Sequence, residues 1–269
     1  MVLTTTDKGR VRTLAINRPD ALNAMNNEVF AAIRDGLDSA LDDDGVAVVV
    51  ITGTGRAFCA GQDLTEMLAS GDDGADGDSS ESGSGERHQF PSMLKRLTTF
   101  PKPIVAAVNG LGVGIGMTFL GHCDLVLMEA EAKLRTPFPQ LGLAPEAGSS
   151  WTFASVMGWQ NAAHVLMTGR WFSAQECLAM GLVWKVCDGN EELMAETMAV
   201  ATEIAANPIP SLVATKQLML DAGRAEQALA AHRREMIAYR PLVGAPANEE
   251  AVAAFQEKRD PDFASIPGL

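Results

Sequence analysis

The sequence predicts an α/β protein: a core of alternating strands and helices, followed by a region of helices alone. Three observations carry this. Val46–Thr52 and Ile104–Val108 are unbroken runs of β-branched or small apolar residues, as in strands covered on both faces. Asn26–Leu41 repeats Val29, Ile33, Leu37 and Leu41 every four residues, with Asn26 placed to cap the helix. After Ala147 the pattern turns helical over Trp151–Met157, Gln160–Met167, Ala174–Met180, Glu191–Ala206, Ser211–Ala222, Ala225–Tyr239 and Glu249–Lys258.

The remaining elements follow in order. Arg10–Asn17 alternates like a half-buried strand and stops at Arg18-Pro19, and Leu125–Met128 reads as another covered strand. Two strand ends run into small-residue turns. Thr52–Leu64 (TGTGRAFCAGQDL) leads to a predicted helix start at Asp63, and Asn109–Thr118 (NGLGVGIGMT) joins a buried strand to an apolar helix. Between them, Ser70–Glu86 holds only Ser, Gly, Ala, Asp and Glu, too polar to offset its ordering entropy. It is expected to be a mobile loop, either a lid or a tolerated insertion. No internal repeat is visible.

Composition narrows the function. With 269 residues and 47% hydrophobic content, the chain can bury a large core. A net charge of −13 argues against nucleic-acid binding. The apolar stretch Ile104–Leu120 is broken by Asn109 and four glycines, so no membrane span is expected. The first residues do not resemble a secretory signal, and Ile266–Leu269 is no peroxisomal address, so the expected location is the cytoplasm. Cys59, Cys123, Cys177 and Cys187 are widely spaced, and His88, His122, His164 and His232 show no ligand spacing; no metal site is expected. Cys59 and Cys123 read as small packed residues.

One residue stands out chemically. Glu146 is the only charged side chain between Thr136 and Gln160. Burial would raise its pKa toward that of a working proton carrier; the alternative is a solvated turn residue favoured at a helix start. The second junction is not a dinucleotide fingerprint, because GxGxxG counted from Gly112 would need glycine at Met117. Its glycines equally suit close strand–helix packing. Ser149 and Ser150 lie outside any GxSxG, so serine hydrolysis is not expected. Two such junctions together could aim two backbone N–H groups at one oxygen. A carboxylate beside them would make a site for removing a proton α to a carbonyl.

Nearly the whole chain resembles the crotonase (enoyl-CoA hydratase/isomerase) superfamily. The residues that carry the likeness are Asn17-Arg18-Pro19 with Ala21-Leu22-Asn23-Ala24, then Ala57–Leu64, Lys102–Gly110 and Ala254–Arg259. The resemblance implies a crotonase-like ββα spiral core over residues 1–200, with the acidic loop inside it. It also implies a helical trimerisation region over 201–269, giving a trimer or a dimer of trimers. The ligand it implies is an acyl-CoA thioester, with coenzyme A part of the substrate and no separate cofactor.

By the same resemblance, the oxyanion donors are the backbone N–H groups of Gln62 and Ile115. Ala24, Ala60, Gln62, Asp63, Leu64, Ile115, Phe138, Phe255 and Lys258 match positions that meet the CoA thioester. Lys258 suits a phosphate or is an ordinary surface lysine, and Asp63 suits a helix cap better than a second acid. Asp20 departs from the pattern, since a basic residue often stands there near the phosphates. The two glutamates of the hydratases are replaced by Thr118 and Phe138, whereas Thr136–Ser150, with Glu146, resembles the monofunctional Δ3,Δ2-enoyl-CoA isomerases. Glu146 is therefore the expected base, converting 3-enoyl-CoA to trans-2-enoyl-CoA in fatty acid β-oxidation. Phe138, Trp151, Phe153 and Met117 are expected as apolar walls or as core. The alternatives are a hydratase of the same fold and a non-catalytic acyl-CoA-binding protein.

Overall fold

The computed structural model describes residues 1–63 and 89–266. The acidic loop, Leu64 and His88 lie outside them.

The main sheet has the order β1-β2-β3-β5-β7-β10. Its strands are β1 (Leu3–Lys8), β2 (Val11–Ile16), β3 (Val48–Gly53), β5 (Ile104–Val108), β7 (Leu125–Glu129) and β10 (Lys185–Cys187). Only the β1/β2 pair is antiparallel. A second sheet orders β4 (Ala57–Cys59), β6 (Leu111–Val113), β8 (Lys133–Arg135) and β9 (Phe172–Ser173). Each of β3, β5 and β7 is followed at once by a short strand of this second sheet. That repeated step is the spiral of ββα turns.

The helices are α1 (Asn27–Asp42), α2 (Phe90–Thr99), α3 (Ile115–Thr118), α4 (Ser149–Met157), α5 (Trp159–Thr168), α6 (Ala174–Met180), α7 (Gly189–Ala205), α8 (Ile209–Met219), α9 (Ala225–Tyr239) and α10 (Pro246–Glu257). Asn26 caps α1, its side chain accepting from the Val29 N–H at 3.0 Å. One face of the main sheet buries Leu14, Val49, Ile51 and Ala106 in the same apolar cluster as Ile33 of α1 and Leu97 of α2. The other face buries Val48, Val50 and Val105 with Leu193 and Ala201 of α7. A strand covered on both faces has no polar side to present, which is why Val46–Thr52 is apolar without alternation. Cys59 and Cys123 are buried, as small packed residues should be.

Some elements were not expected. β1 (LTTTDK) buries only Leu3, so its mostly polar face hides a strand that is held by pairing with β2. The short strands of the second sheet are too brief for any period to show. The predicted Ser211–Ala222 helix ends at Met219 and passes through a π-helical turn, Leu220–Arg224, where Gly223 has φ 95°. Three part-buried contacts seat α8, α9 and the turn between them on the core. Lys216 pairs with Asp124 at 2.7 Å, Arg224 donates to the Gly121 carbonyl at 2.7 Å, and Glu235 accepts from α4. Among the described residues, no helix is long and apolar enough to cross a membrane.

Candidate active site

The site is built around the turn that precedes α4. Ala147 (φ 58°) and Gly148 (φ 71°) are consecutive left-handed residues, which turn the chain sharply between Glu146 and the helix. For alanine that conformation costs roughly 1–2 kcal/mol, so the surroundings must hold it. Ala147 is fully buried, and its carbonyl meets His122 Nε2 at 2.7 Å. A carbonyl only accepts, so Nε2 carries the hydrogen, and Nδ1 faces Thr98 Oγ1 at 3.1 Å. Burial keeps His122 neutral, pushing its pKa down to about 4. From the other side the Glu235 carboxylate accepts from the N–H groups of Gly148 (2.6 Å) and Ser150 (2.8 Å). A side chain at Gly148 would place its Cβ 2.5 Å from the Ala228 carbonyl oxygen, so glycine is required.

This turn presents the half-buried Glu146 carboxyl to α3. Thr118 Oγ1, fully buried, donates to Glu146 Oε1 at 2.6 Å. Desolvation pushes the Glu146 pKa up to about 8; the Thr118 hydrogen bond opposes the shift and the charge of Glu235 adds to it. The same carboxyl is felt by Cys59 and Tyr239, both raised to about 12 mainly by their own burial.

The two glycine-rich junctions lie side by side next to this carboxyl. Cys59 of β4 pairs with Gly112 of β6, and a Cβ on Gly116 would stand 2.3 Å from the Cys59 carbonyl oxygen. Glycine at 116 is what lets α3 approach the first junction so closely. Ile115, 4% exposed, opens α3, so its N–H has no intrahelical acceptor. Gln62 forms a parallel bridge with Met25, which bonds to Gly61 O (2.8 Å) and Asp63 N (2.9 Å). In such a bridge the N–H of the middle residue, here Gln62, points away from Met25.

The Glu146 carboxyl, of raised proton affinity, thus lies beside the two small-residue turns that follow β4 and β6. The sequence model of the family described as enoyl-CoA hydratase/isomerase matches residues 6–266. The chain belongs to that family. It is 33% identical over 266 residues to 1,2-epoxyphenylacetyl-CoA isomerase of Escherichia coli, covering 97% of each chain. It is 37% identical over 181 residues to enoyl-CoA delta isomerase 2 of Rattus norvegicus, covering 67% of this chain and 45% of that longer protein. The crystal structure of an enoyl-CoA hydratase/isomerase from Pseudoalteromonas atlantica superposes with a TM-score of 0.87 at 34% identity, covering 98% of this chain and all of that one.

Within this enoyl-CoA hydratase/isomerase fold, Glu146, Ala60, Gln62 and Ile115 fall in one region. Ala24 joins them: the Ala60 N–H bonds to Leu22 O at 3.0 Å, and Arg18 bonds both Ala24 O (2.6 Å) and Asp63 Oδ2 (2.9 Å). Any capping by Asp63 would fall on residues outside those described. Phe138 is buried, at 6% exposure. Met117 and Phe153 are wholly buried in the core and so serve packing, while Trp151 is half-buried. Phe255 and Lys258 are exposed at the end of α10, which Asn248 Nδ2 ties to Leu141 O at 2.8 Å. Among the described residues no hydrogen bond joins those two to the Ala60–Asp63 stretch.

The expectation of a single carboxylate at the site is corrected by Glu235, 5% exposed, which arrives from 87 residues beyond Gly148. Sequence reasoning also missed Thr118 as a donor, taking it only as the blank left by a hydratase glutamate. That position, one turn into the helix after Ile115, was the available signal. Nothing local marks Glu235, His122 or Tyr239, because their roles exist only once α9 and α2 pack beside the turn.

Proposed function

We propose that the protein isomerises 3-enoyl-CoA thioesters to trans-2-enoyl-CoA, with Glu146 as the sole proton carrier. The observation that carries this reading is the Glu146 carboxyl itself. It is desolvated to a pKa of about 8 and bonded by one hydroxyl, and among the described residues the other carboxylate that bears on it, Glu235, is engaged by two amides. Glu146 takes a proton from C2, the thioester oxyanion rests on the Gln62 and Ile115 N–H groups, and Glu146 returns the proton at C4. Each backbone donor lowers the barrier by roughly 3 kcal/mol.

Hydration needs an acid and a base disposed about a water molecule. Thr118 and buried Phe138 stand where hydratases carry those groups, and both oxygens of Glu235 are already engaged by amides. The name of one relative, enoyl-CoA delta isomerase 2, supports the same choice. On this reading coenzyme A enters as part of the substrate, Ala24, Ala60, Asp63 and Phe138 line its path, and Phe255 and Lys258 reach the nucleotide within a trimer or a pair of trimers. The setting is fatty acid β-oxidation in the cytoplasm.

A panel of CoA thioesters scored for isomerisation against hydration tests the proposal. The parent is expected to form the conjugated thioester from 3-enoyl-CoA and to hydrate 2-enoyl-CoA far more slowly. Glu146→Gln is expected to lose about 1,000-fold or more in kcat while still binding substrate. Faster hydration by the parent, or a fully active Glu146→Gln, would overturn it.

A further inference from the structure

We propose that Glu235 is a positioning residue: from α9 it clamps the backbone that presents the Glu146 carboxyl. The inference rests on the reading of Glu146 as the proton carrier and adds to it a second carboxylate with a different task.

The clamp has two jaws. Glu235 Oε2 accepts from the Gly148 N–H at 2.6 Å and Oε1 from the Ser150 N–H at 2.8 Å. These amides straddle the start of α4, immediately after Glu146 and the left-handed Ala147. The Glu146 carbonyl is itself tied forward, accepting from Ser149 N at 3.1 Å and Ser149 Oγ at 2.6 Å. With Ser149 held between the two clamped residues, the main chain of Glu146 has little freedom. Glu235 is buried at 5% exposure, so an unpaired carboxylate there would be costly, and a helix surface alone gives no reason to keep one. Its two short amide bonds account for its place.

A consequence separates positioning from mere stabilisation. Burial pushes the Glu235 pKa up, while its bonds to Ser150 and Gly148 favour the ionised form, whose charge opposes ionisation of Glu146. Among the described residues the groups that bear on Glu146 are Thr118 from α3, Cys59 from β4, and Glu235 and Tyr239 from α9; His122 meets the Ala147 carbonyl and Thr98, and Arg234 bears on Glu235. Of these, Glu235 is the negative charge that favours the protonated form of Glu146. Removing that charge should make Glu146 a weaker base as well as a looser one.

The experiment uses the full chain with Glu235→Gln and Glu235→Asp. It reads kcat and KM for a 3-enoyl-CoA, and the Glu146 titration by carbon NMR of glutamate-labelled protein, assigned with Glu146→Gln. For Glu235→Gln the expected result is a fall in kcat of about 10-fold or more with KM within about threefold. The Glu146 midpoint should drop by about half a pH unit, a threefold change in proton affinity. Glu235→Asp keeps the charge but is too short for both amides, so kcat should fall while the midpoint stays near the parent's; it serves alone if the glutamine variant does not fold. An unchanged kcat in the folded variants, or a lost kcat with an unmoved Glu146 midpoint in Glu235→Gln, overturns the proposal. If the parent itself fails to turn over 3-enoyl-CoA, the proposed reaction falls, while the NMR midpoint still reports on Glu235.

Discussion

The two carboxylates beside the Ala147–Gly148 turn are both withdrawn from bulk water, yet they are held in opposite ways. Glu235 lies behind the turn and gives each oxygen to a backbone amide. Glu146 lies in front, receives a single hydroxyl from Thr118, and remains half-buried rather than sealed. A buried carboxylate with an amide on each oxygen is a fastener, because moving either oxygen breaks a short bond to the backbone. A carboxyl with one donor and lone pairs to spare keeps its chemistry available, at the cost of an unfavourable ionisation. The difference between fastener and proton carrier is thus one of bonding, since the side chains are identical.

The comparison can be broken most severely from behind. Gly148→Ala forces a Cβ onto the Ala228 carbonyl in a left-handed conformation, which should cost about 2–4 kcal/mol. Thermal denaturation should show a Tm lower by roughly 5–10 °C, and kcat should fall about 100-fold as Glu146 leaves its place. A normal kcat would mean that the turn does not set the geometry.

From the front, Thr118→Val keeps the shape but removes the donor. The hydrogen bond favours the ionised carboxyl, so its loss raises the Glu146 pKa above about 8. The pH profile of kcat/KM should shift its acid limb upward, with about a 10-fold loss at neutral pH that recovers in alkali. A shift downward would reverse the assigned roles.

The smallest effect concerns stability. The folded-state pKa of Glu146, about 8, lies above its ordinary 4.5. Its neutral form therefore favours the fold fully below pH 4.5, and this contribution is lost as pH rises through 8. Glu146→Gln removes the dependence, so its Tm should exceed the parent's by a few degrees at alkaline pH, with the gap closing toward acid. Equal Tm values across the range would show that Glu146 is not desolvated.

How far the sequence reached depends on the distance over which each feature is encoded. α6 was legible to the residue as Ala174–Met180, and β5 as Ile104–Val108, because period, caps and breakers all lie within the element. Asn26 as the cap of α1 belongs to the same class. The strand Leu3–Lys8 was illegible because only its partner makes it a strand. At the site, an isolated glutamate in an uncharged segment marked Glu146, while Gln62 and Ile115 were named within the two small-residue junctions only by the family resemblance. What Glu146 touches was not marked.

The sequence by itself determined an α/β core of covered strands, a helical C-terminal region, a family likeness, and one carboxylate in apolar surroundings. These follow from local patterning, which needs no knowledge of distant neighbours. Only the tertiary structure decided that Thr118 bonds that carboxyl, that His122 and Glu235 hold the turn, and that burial raises its proton affinity. Desolvation and hydrogen-bond partnership are properties of the packed molecule. They depend on residues from Thr98 to Glu235 converging within a few ångströms, and no local pattern records that convergence.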